Sequence, residues 1–249
     1  MLLKDAAVLL VDDERDLLDI MAEWFKREGS RVLLAEHGAQ ALRLLAANPV
    51  DLIISDIRMP VMDGVSMLQN IKSAQLHKPS VIFISSFTDI PVRQAYDLGV
   101  EPLMSKPVER KQLISAVARI LADRGELWAL PFAGRAEALL DAAFDNLATA
   151  LRQGLLAFGC GGFCIHSTLE LGEVPVDLRL DFAADGRRVT GHGIVRWTAP
   201  AESLAGVEIL DIDDNNRAWI LALTQANPFQ SFIPRTTLAQ ISQAKSAQT

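Results

Sequence analysis

The sequence is short of cysteine and of long apolar runs. Only Cys160 and Cys164 occur among its 249 residues. Together with the nearby His166 they fall short of the four ligands of a structural zinc site, so we expect two buried thiols and neither a metal nor a disulfide there. No apolar run approaches the roughly 18 to 20 residues that span a bilayer. Asp5 stands where a signal peptide has its apolar stretch, and we expect a cytoplasmic protein.

Basic residues are also scarce. The chain has 24 Lys and Arg against 31 Asp and Glu, a net charge of −7. Both halves are acidic, since residues 1–124 carry 15 basic and 17 acidic side chains and residues 125–249 carry 9 and 14. Proteins that bind nucleic-acid phosphates usually present a basic face, so the sequence predicts no DNA partner. The length and the 50% apolar content are typical of two globular domains.

Short apolar runs alternate with amphipathic stretches through residues 1–124. This pattern predicts a doubly wound, five-stranded parallel sheet with helices on both faces. In such sheets the functional site lies at the carboxyl ends of the strands. The predicted strands are 6–11, 31–35, 52–55, 80–84 and 103–105, and the predicted helices are 15–28, 39–47, 65–74, 92–98 and 109–123.

Charged and hydroxyl residues follow four of these strands: Asp12-Asp13-Glu14, then Asp56, then Ser85-Ser86, then Lys106-Pro107. Clustered carboxylates repel one another unless they share a cation, and Mg²⁺ prefers oxygen ligands. A carboxylate beside Mg²⁺, a lysine and a hydroxyl is suited to attack a phosphoryl group.

These segments resemble the motifs of two-component response-regulator receiver domains, which have a flavodoxin-like fold. The similar stretches are residues 8–14, 56–64, 84–86 and 106–107, in the family's order and spacing. The resemblance covers half of the chain. It implies that a histidine kinase or a phosphotransfer protein donates phosphate, and that the only catalysis is the receiver's own phosphoryl transfer and dephosphorylation.

The resemblance also implies a role for each site residue. Asp56 would be the phosphoacceptor, Asp13 a direct Mg²⁺ ligand with Asp12 assisting, the backbone carbonyl of Arg58 a further ligand, Ser85 the switch hydroxyl and Lys106 the phosphoryl contact. One position departs from the family pattern. Leu103 stands where receivers commonly have a switch Tyr or Phe, so the usual coupling of that ring to the hydroxyl is in doubt.

Residues 125–154 are predicted to be a linker. The first ten contain Pro131 and two glycines, and the stretch 135–152, free of Pro and Gly, predicts a helix. Its apolar residues recur at spacings of four, three and four: Leu140, Phe144, Leu147 and Leu151. Such a seam supports either a homodimer or packing within the chain, and we favour the homodimer slightly.

The remaining sequence predicts a small antiparallel barrel over residues 155–226. Apolar and polar residues alternate over 176–182 and again over 187–197, and Asp213 is placed to cap a final helix. Residues 227–249 are predicted to be a loosely held tail.

This half resembles a PilZ domain in residues 161–165, 191–197 and 205–210. Members of that family typically bind cyclic-di-GMP through an R-x-x-x-R pair and a D/N-x-S-x-x-G motif. Here Ala157 and Gly159 replace the two polar residues of the second motif, and the arginine pair is absent from the linker. We therefore expect a degenerate domain that does not bind cyclic-di-GMP in the usual way.

The sequence as a whole predicts a response regulator that Asp56 phosphorylation controls. Its output would be contact with a downstream protein. The alternative is a cyclic-di-GMP sensor that uses a non-standard site.

Overall fold

The computed structural model describes residues 3–73, 79–85, 90–167, 173–225 and 231–234. Two compact units make up the chain. The first unit comprises Met1–Pro91 and Leu98–Asp123, and the second comprises Val92–Asp97 and Arg124–Thr249. The short segment 92–97 therefore belongs, by its contacts, with the C-terminal half of the chain.

Strands and helices alternate along residues 1–123. The elements are β1 (Ala7–Val11), α1 (Arg15–Arg27), β2 (Arg31–Ala35), α2 (Gly38–Ala47), β3 (Leu52–Asp56), α3 (Gly64–Ser73), β4 (Ser80–Ser85), α4 (Val92–Asp97), β5 (Val100–Ser105) and α5 (Arg110–Leu121). All of them except α4 lie in the first unit. Helix α1 buries one stripe, Leu18, Met21, Ala22 and Phe25, at the three- and four-residue spacing of a helix face.

The first unit contains a five-stranded parallel sheet in the order β2-β1-β3-β4-β5. Its central strands β1 and β3 are buried along their whole length, as expected for a parallel sheet covered on both faces. The predicted doubly wound sheet is confirmed. Because the strands are parallel, their carboxyl ends lie at one edge.

The second unit holds a six-stranded sheet in the order β6-β9-β10-β11-β8-β7. Its further elements are α6 (Arg124–Leu127), β6 (Ala138–Phe144), α7 (Leu147–Arg152), β7 (Leu156–Phe158), β8 (Gly162–His166), β9 (Pro175–Phe182), β10 (Arg187–Ala199), β11 (Leu204–Ile212) and α8 (Asp214–Gln225). Four of the strand pairs are antiparallel, but β6 and β9 run parallel. The sheet is therefore mixed, where the sequence predicted an antiparallel barrel.

The predicted linker helix 135–152 is wrong. Its first part is the strand β6, and only Leu147–Arg152 is helical. Leu140 is 2% exposed, and Phe144 stacks on Phe182 of the neighbouring strand with 5.3 Å between ring centres. Because Leu140 and Phe144 are used inside the second unit, they do not form the helical seam on which the predicted homodimer rested.

The helix boundaries of the second unit follow capping signals. Asn146 accepts a hydrogen bond from the backbone of Thr149 and begins α7. Asp213 accepts bonds from the backbone N–H groups of Asn215 and Asn216, which confirms its predicted role as the cap of α8.

Part of the predicted loose tail is packed. Phe232 is 3% exposed and Ile233 is fully buried, because their large apolar side chains join a cluster with Tyr96 and Trp197. Residues 227–230 and 235–249 of that prediction lie outside the described residues. No helix in the described part of the chain is long and apolar enough to cross a membrane.

Candidate functional site

Four neighbouring strands of the first unit bring the predicted site residues to one edge of the sheet. Asp12 follows β1, Asp56 ends β3, Ser85 ends β4 and Lys106 follows β5. These strands lie side by side in the order β1-β3-β4-β5. Parallel topology therefore gathers residues that are up to 94 positions apart in sequence.

The three aspartates form one carboxylate cluster. Ligand oxygens of Asp12, Asp13 and Asp56 all lie within 4.8 Å of one another. Asp12 is 1% exposed and Asp56 is 8% exposed, whereas Asp13 faces solvent. Carboxylates this close repel one another strongly, and burial strengthens the repulsion. The cluster needs a cation to be stable in its ionised form.

Lys106 supplies one cation. Its Nζ lies 2.6 Å from Asp56 Oδ2, 3.1 Å from Asp12 Oδ2 and 3.2 Å from Glu14 Oε1. All three distances are within hydrogen-bond range, and an ammonium has three protons to donate. One lysine thus links Asp12, which follows β1, to Asp56, which ends β3.

Burial and these bonds shift the ionisation of the pair. Burial raises the pKa of Asp12, and its bonds to the Glu14 backbone and to Lys106 offset only part of that rise. Burial lowers the pKa of Lys106, but the hydrogen bonds from Lys106 to Asp56 and Asp12 outweigh it, so that the pKa is raised. Lys106 therefore stays charged across the physiological range.

Backbone donors fix the two buried carboxylates. Asp56 Oδ1 accepts bonds from the N–H groups of Ile57 at 2.5 Å and Arg58 at 3.3 Å. Asp12 Oδ1 accepts from the Glu14 N–H at 2.8 Å. Each aspartate thereby keeps its Oδ2 for Lys106. The Arg58 backbone is adjacent to Asp56, and the role of its carbonyl as a ligand stays a prediction.

Ser85 lies on the strand between Asp56 and Lys106. It is 3% exposed, it is paired with Ser105 across β4 and β5, and its carbonyl accepts the Lys106 N–H at 3.0 Å. The same strand pair holds Leu103 opposite Phe83, and Leu103 is partly buried. The branched side chain has no hydroxyl and no ring face to present to the site.

Two residues of the sequence motifs, Glu14 and Gly64, contribute to the site although the sequence predicted no role for them. Glu14 is the third partner of Lys106. Gly64 begins α3 close to the backbone of Asp56, since a Cβ at Gly64 would lie 2.4 Å from the Asp56 carbonyl oxygen. The Asp-Gly pair at 63–64 was a visible signal, because glycine is used where backbones approach closely.

The loop after Asp56 contains a strained turn. Val61 has φ +66°, and the Met62 N–H bonds to the Pro60 carbonyl at 2.7 Å around it. This is the rarer form of the three-residue turn, and a β-branched residue is seldom found at positive φ. The Met62 carbonyl accepts the Gly38 N–H at 2.9 Å, which anchors the loop to the start of α2.

The cluster suits a hard divalent cation. Its donors are all carboxylate oxygens, and Mg²⁺ takes oxygen ligands while keeping several waters. Asp13 faces solvent, so waters bound to such an ion could be reached from that side. Asp12 and Asp13 have the right chemistry to hold the ion beside Asp56.

Two polar residues of the segment 191–197, which resembles a PilZ domain, have ion-pair partners within the second unit. Arg196 donates to Glu208 at 2.7 Å and pairs with Glu173, and the attraction of Glu208 outweighs burial and raises its pKa. His192 Nδ1 lies 2.9 Å from Asp211. Cys160 and Cys164 form no disulfide; Cys164 is buried as predicted, whereas Cys160 is only partly buried.

Comparisons with known proteins find relatives of the first part of the chain. Residues 8–118 match the family model described as response regulator receiver domain. The chain is 39% identical over 115 residues to the transcriptional regulatory protein GlrR of Escherichia coli, which is 46% of this chain and 26% of that protein. It is 31% identical over 115 residues to the response regulator SaeR of Staphylococcus epidermidis, 46% of this chain and 50% of that protein.

A solved receiver domain from Clostridium thermocellum aligns with 47% of this chain and 94% of its own length, at 28% identity and a TM-score of 0.44. The chain spans about a quarter to a half of the length of the curated relatives named above. The N-terminal half of the chain is a response-regulator receiver domain. The match leaves the C-terminal half unassigned.

Proposed function

We propose that this protein is a two-component response regulator that accepts phosphate on Asp56 from a histidine kinase or a phosphotransfer protein, and that its second unit acts on a downstream protein. One observation carries the proposal: the Lys106 ammonium lies 2.6 Å from Asp56 Oδ2 within a cluster of three aspartates. Receiver domains are phosphorylated as a family, and the match over residues 8–118 supports the same chemistry here.

The proposed reaction is one phosphoryl transfer. A carboxylate oxygen of Asp56 forms a bond to phosphorus as the bond from phosphorus to a donor imidazole nitrogen breaks, and the released imidazole takes a proton from solvent. Lys106 then donates hydrogen bonds to the phosphoryl oxygens in place of some of its bonds to Asp56. The Ser85 hydroxyl donates a further hydrogen bond to one of these oxygens. Attack of water on phosphorus then breaks the bond to the Asp56 oxygen, which releases inorganic phosphate and regenerates the carboxylate.

Asp12 and Asp13 would hold Mg²⁺ beside Asp56, with the Arg58 carbonyl as a further ligand. The bound ion would offset the negative charge that builds on the transferring oxygens. The residues of the chain supply the rest: the backbone N–H groups of Ile57 and Arg58 orient Asp56, and Lys106 neutralises the buried pair.

The test is phosphorylation of the full chain by acetyl phosphate, followed by intact mass. We expect the mass of one phosphoryl group in Mg²⁺ and its absence in excess chelator. The Asp56→Asn variant should gain none, while Asp16→Asn, which removes an exposed carboxylate outside the cluster, should behave as the unmodified chain. Equal incorporation in Asp56→Asn would refute the assignment.

We further propose that the second unit is a PilZ-like domain that works through protein contact and not through cyclic-di-GMP. Residues 159–161 form a glycine-rich loop between β7 and β8. Its Gly159 is covered by the backbone of Ser231 and Phe232, and its Gly161 by the ring of Phe232. Arg196 is already neutralised by two glutamates. These features support a domain that lacks free planar donors for nucleotide phosphates at this place.

Calorimetry of the full chain with cyclic-di-GMP tests this output. We expect no saturable heat at micromolar nucleotide. Saturable binding of one or two equivalents would contradict the proposal and favour a nucleotide sensor with a non-standard site.

If no binding is seen, a pull-down from lysate with and without acetyl phosphate would identify a downstream protein by its dependence on Asp56.

A further inference from the structure

A three-residue segment of the second unit, Ser231–Ile233, lies in a groove beside the glycine-rich loop. The Ser231 carbonyl accepts the Cys160 N–H at 2.9 Å, and the Phe232 carbonyl accepts the Gly161 N–H at 3.0 Å. These are bonds of the kind that an extended peptide makes to an exposed backbone edge. The segment is therefore held by the main chain as well as by its side chains.

The loop is built to receive this segment. A Cβ at Gly159 would lie 2.4 Å from the carbonyl oxygens of Ser231 and Phe232, and one at Gly161 would lie 1.8 Å from the Phe232 ring. A larger side chain at either position would clash with the segment unless one of them shifted. The glycines of this stretch thus have a specific use, which is to admit Ser231 and Phe232.

The same segment binds helix α4. The Phe232 N–H donates to the Tyr96 carbonyl at 2.9 Å, the two rings stack with centres 5.7 Å apart, and the Ser231 hydroxyl donates to Asp97 at 3.3 Å. Helix α4 has only six residues, so these contacts hold much of it. The segment joins α4 to the loop at 159–161.

Helix α4 has a second attachment, through Arg93, which lies about one turn before Tyr96. Arg93 donates two hydrogen bonds of 2.9 Å to the Glu202 carboxylate, and its guanidinium lies 4.8 Å from the centre of the Trp197 ring. Tyr96, Trp197, Phe232 and Ile233 enclose Cys164, which has no exposed surface. Cys164 is thereby a native reporter of whether the segment is in place.

We propose that Ser231–Ile233 is a latch that fixes helix α4 in the second unit, and that phosphorylation of Asp56 opens it. The second clause rests on the proposed function. Helix α4 begins seven residues after Ser85, the proposed phosphoryl contact. Contacts of the latch restrain the chain at Tyr96, and the proposed contact with the phosphoryl group restrains it at Ser85. If the chain cannot make both sets of contacts at once, formation of the phosphoryl contact weakens the latch contacts.

The opened latch exposes an apolar groove with two backbone donors, Cys160 and Gly161. Such a groove accepts an extended peptide with an aromatic and an aliphatic residue in sequence, as Phe232 and Ile233 are here. The latch would then keep the output surface covered until the phosphoryl group arrives.

Alkylation of the native cysteines tests the latch. The full chain is treated with iodoacetamide at pH 8, and fragment spectra separate Cys160 from Cys164. We expect Cys164 to react at least tenfold faster in Phe232→Ala than in the unmodified chain. Leu139→Ala is the matched control, because it shortens an apolar side chain that is 45% exposed in the same unit, and it should leave the rate unchanged.

Circular dichroism shows whether Phe232→Ala remains folded, and Phe232→Leu, which keeps an apolar side chain without the ring, should give a smaller increase. An unchanged Cys164 rate in a folded Phe232→Ala would overturn the latch.

The second arm needs no variant. Acetyl phosphate with Mg²⁺ should raise the Cys164 rate of the unmodified chain toward that of Phe232→Ala, and it should have no effect on Asp56→Asn. Intact mass is measured on the same samples. Incorporated phosphate with an unchanged Cys164 rate would refute the opening step alone. A chain that takes up no phosphate would refute the proposed function and with it the trigger, while Phe232→Ala still decides whether the segment covers Cys164.

Discussion

Lys106 and Asp56 form the shortest of the three ion pairs of this lysine, with 2.6 Å between Nζ and Oδ2. Their side chains are 21% and 10% exposed, so that the pair is partly screened from water. A nearly buried carboxylate next to two others is stable only if a cation stays close. Lys106 provides that cation in the absence of metal.

Removal of the Lys106 charge should destabilise the metal-free protein. We expect Lys106→Ala to lower the free energy of unfolding by about 2 kcal/mol, because two nearly buried carboxylates lose their partner. Mg²⁺ should restore more stability to this variant than to the unmodified chain, since the ion neutralises the same oxygens. Urea unfolding with and without Mg²⁺ measures both effects.

Lys111→Ala is the control for that experiment, because Lys111 is an exposed lysine on α5. It should change neither the stability nor the response to Mg²⁺. A Lys106→Ala variant that is as stable as Lys111→Ala without metal would show that the ion pairs contribute nothing.

Asp13→Asn should weaken Mg²⁺ binding about tenfold or more, because the number of ligand charges sets the affinity of such sites. Asp13 faces solvent, so the loss of its charge should not unfold the protein. Calorimetric titration with Mg²⁺ measures the change, and Asp16→Asn serves as the control. An unchanged affinity in Asp13→Asn would remove Asp13 from the ligand set.

Val61→Gly should stabilise the first unit by about 1 kcal/mol. The turn holds Val61 at positive φ, where a β-branched residue is strained by about 1 to 3 kcal/mol, and glycine is not. The side chain is 81% exposed, so little burial is lost. Ile20→Gly, at a 50% exposed position within α1, should instead destabilise by about 1 kcal/mol. Thermal unfolding of the two variants compares them, and a loss of stability in both would contradict the strain.

Cys164 should make stability fall at alkaline pH. Burial raises the pKa of its thiol to about 12 from an ordinary value of 9.0. Below pH 9 the thiol is protonated in both the folded and the unfolded chain, so its contribution to the free energy of unfolding does not change with pH. Between about pH 9 and 12 the unfolded chain loses the proton first, so stability falls by up to about 1.4 kcal/mol per pH unit.

Urea unfolding between pH 8 and 10.5 measures that slope, and Cys164→Ala isolates it from other groups that titrate there. The slope of this variant should be shallower than that of the unmodified chain. Equal slopes would show that the thiol is not held in a dry environment.

The first unit could be predicted closely because its strands are continuous apolar runs with charged residues at their ends. Parallel topology then decides which ends meet, so Asp12, Asp56 and Lys106 could be placed together from the sequence. The third partner, Glu14, ends the same Asp12-Asp13-Glu14 motif, but the sequence does not set which of these side chains turns toward Lys106 in the loop after β1.

The second unit shows where sequence patterns are ambiguous. Leu140 and Phe144 are four residues apart, a spacing that suits one helix face and also alternate positions of a strand. The alanine-rich composition favours a helix, but this segment pairs with β9 along seven residues and is therefore a strand. Phe232 and Ile233 resembled a tail because their partners, at residues 96 and 160–161, are distant in sequence.

Direct location of the phosphoryl group tests the central claim most sharply. The full chain is treated with acetyl phosphate and Mg²⁺, the acyl phosphate is reduced with borohydride to homoserine, and peptide fragmentation locates the modified residue. We predict homoserine at position 56 alone, and its absence when chelator replaces Mg²⁺. Homoserine at position 12 or 13, or unmodified Asp56 in a chain that has gained a phosphoryl group, would contradict the account.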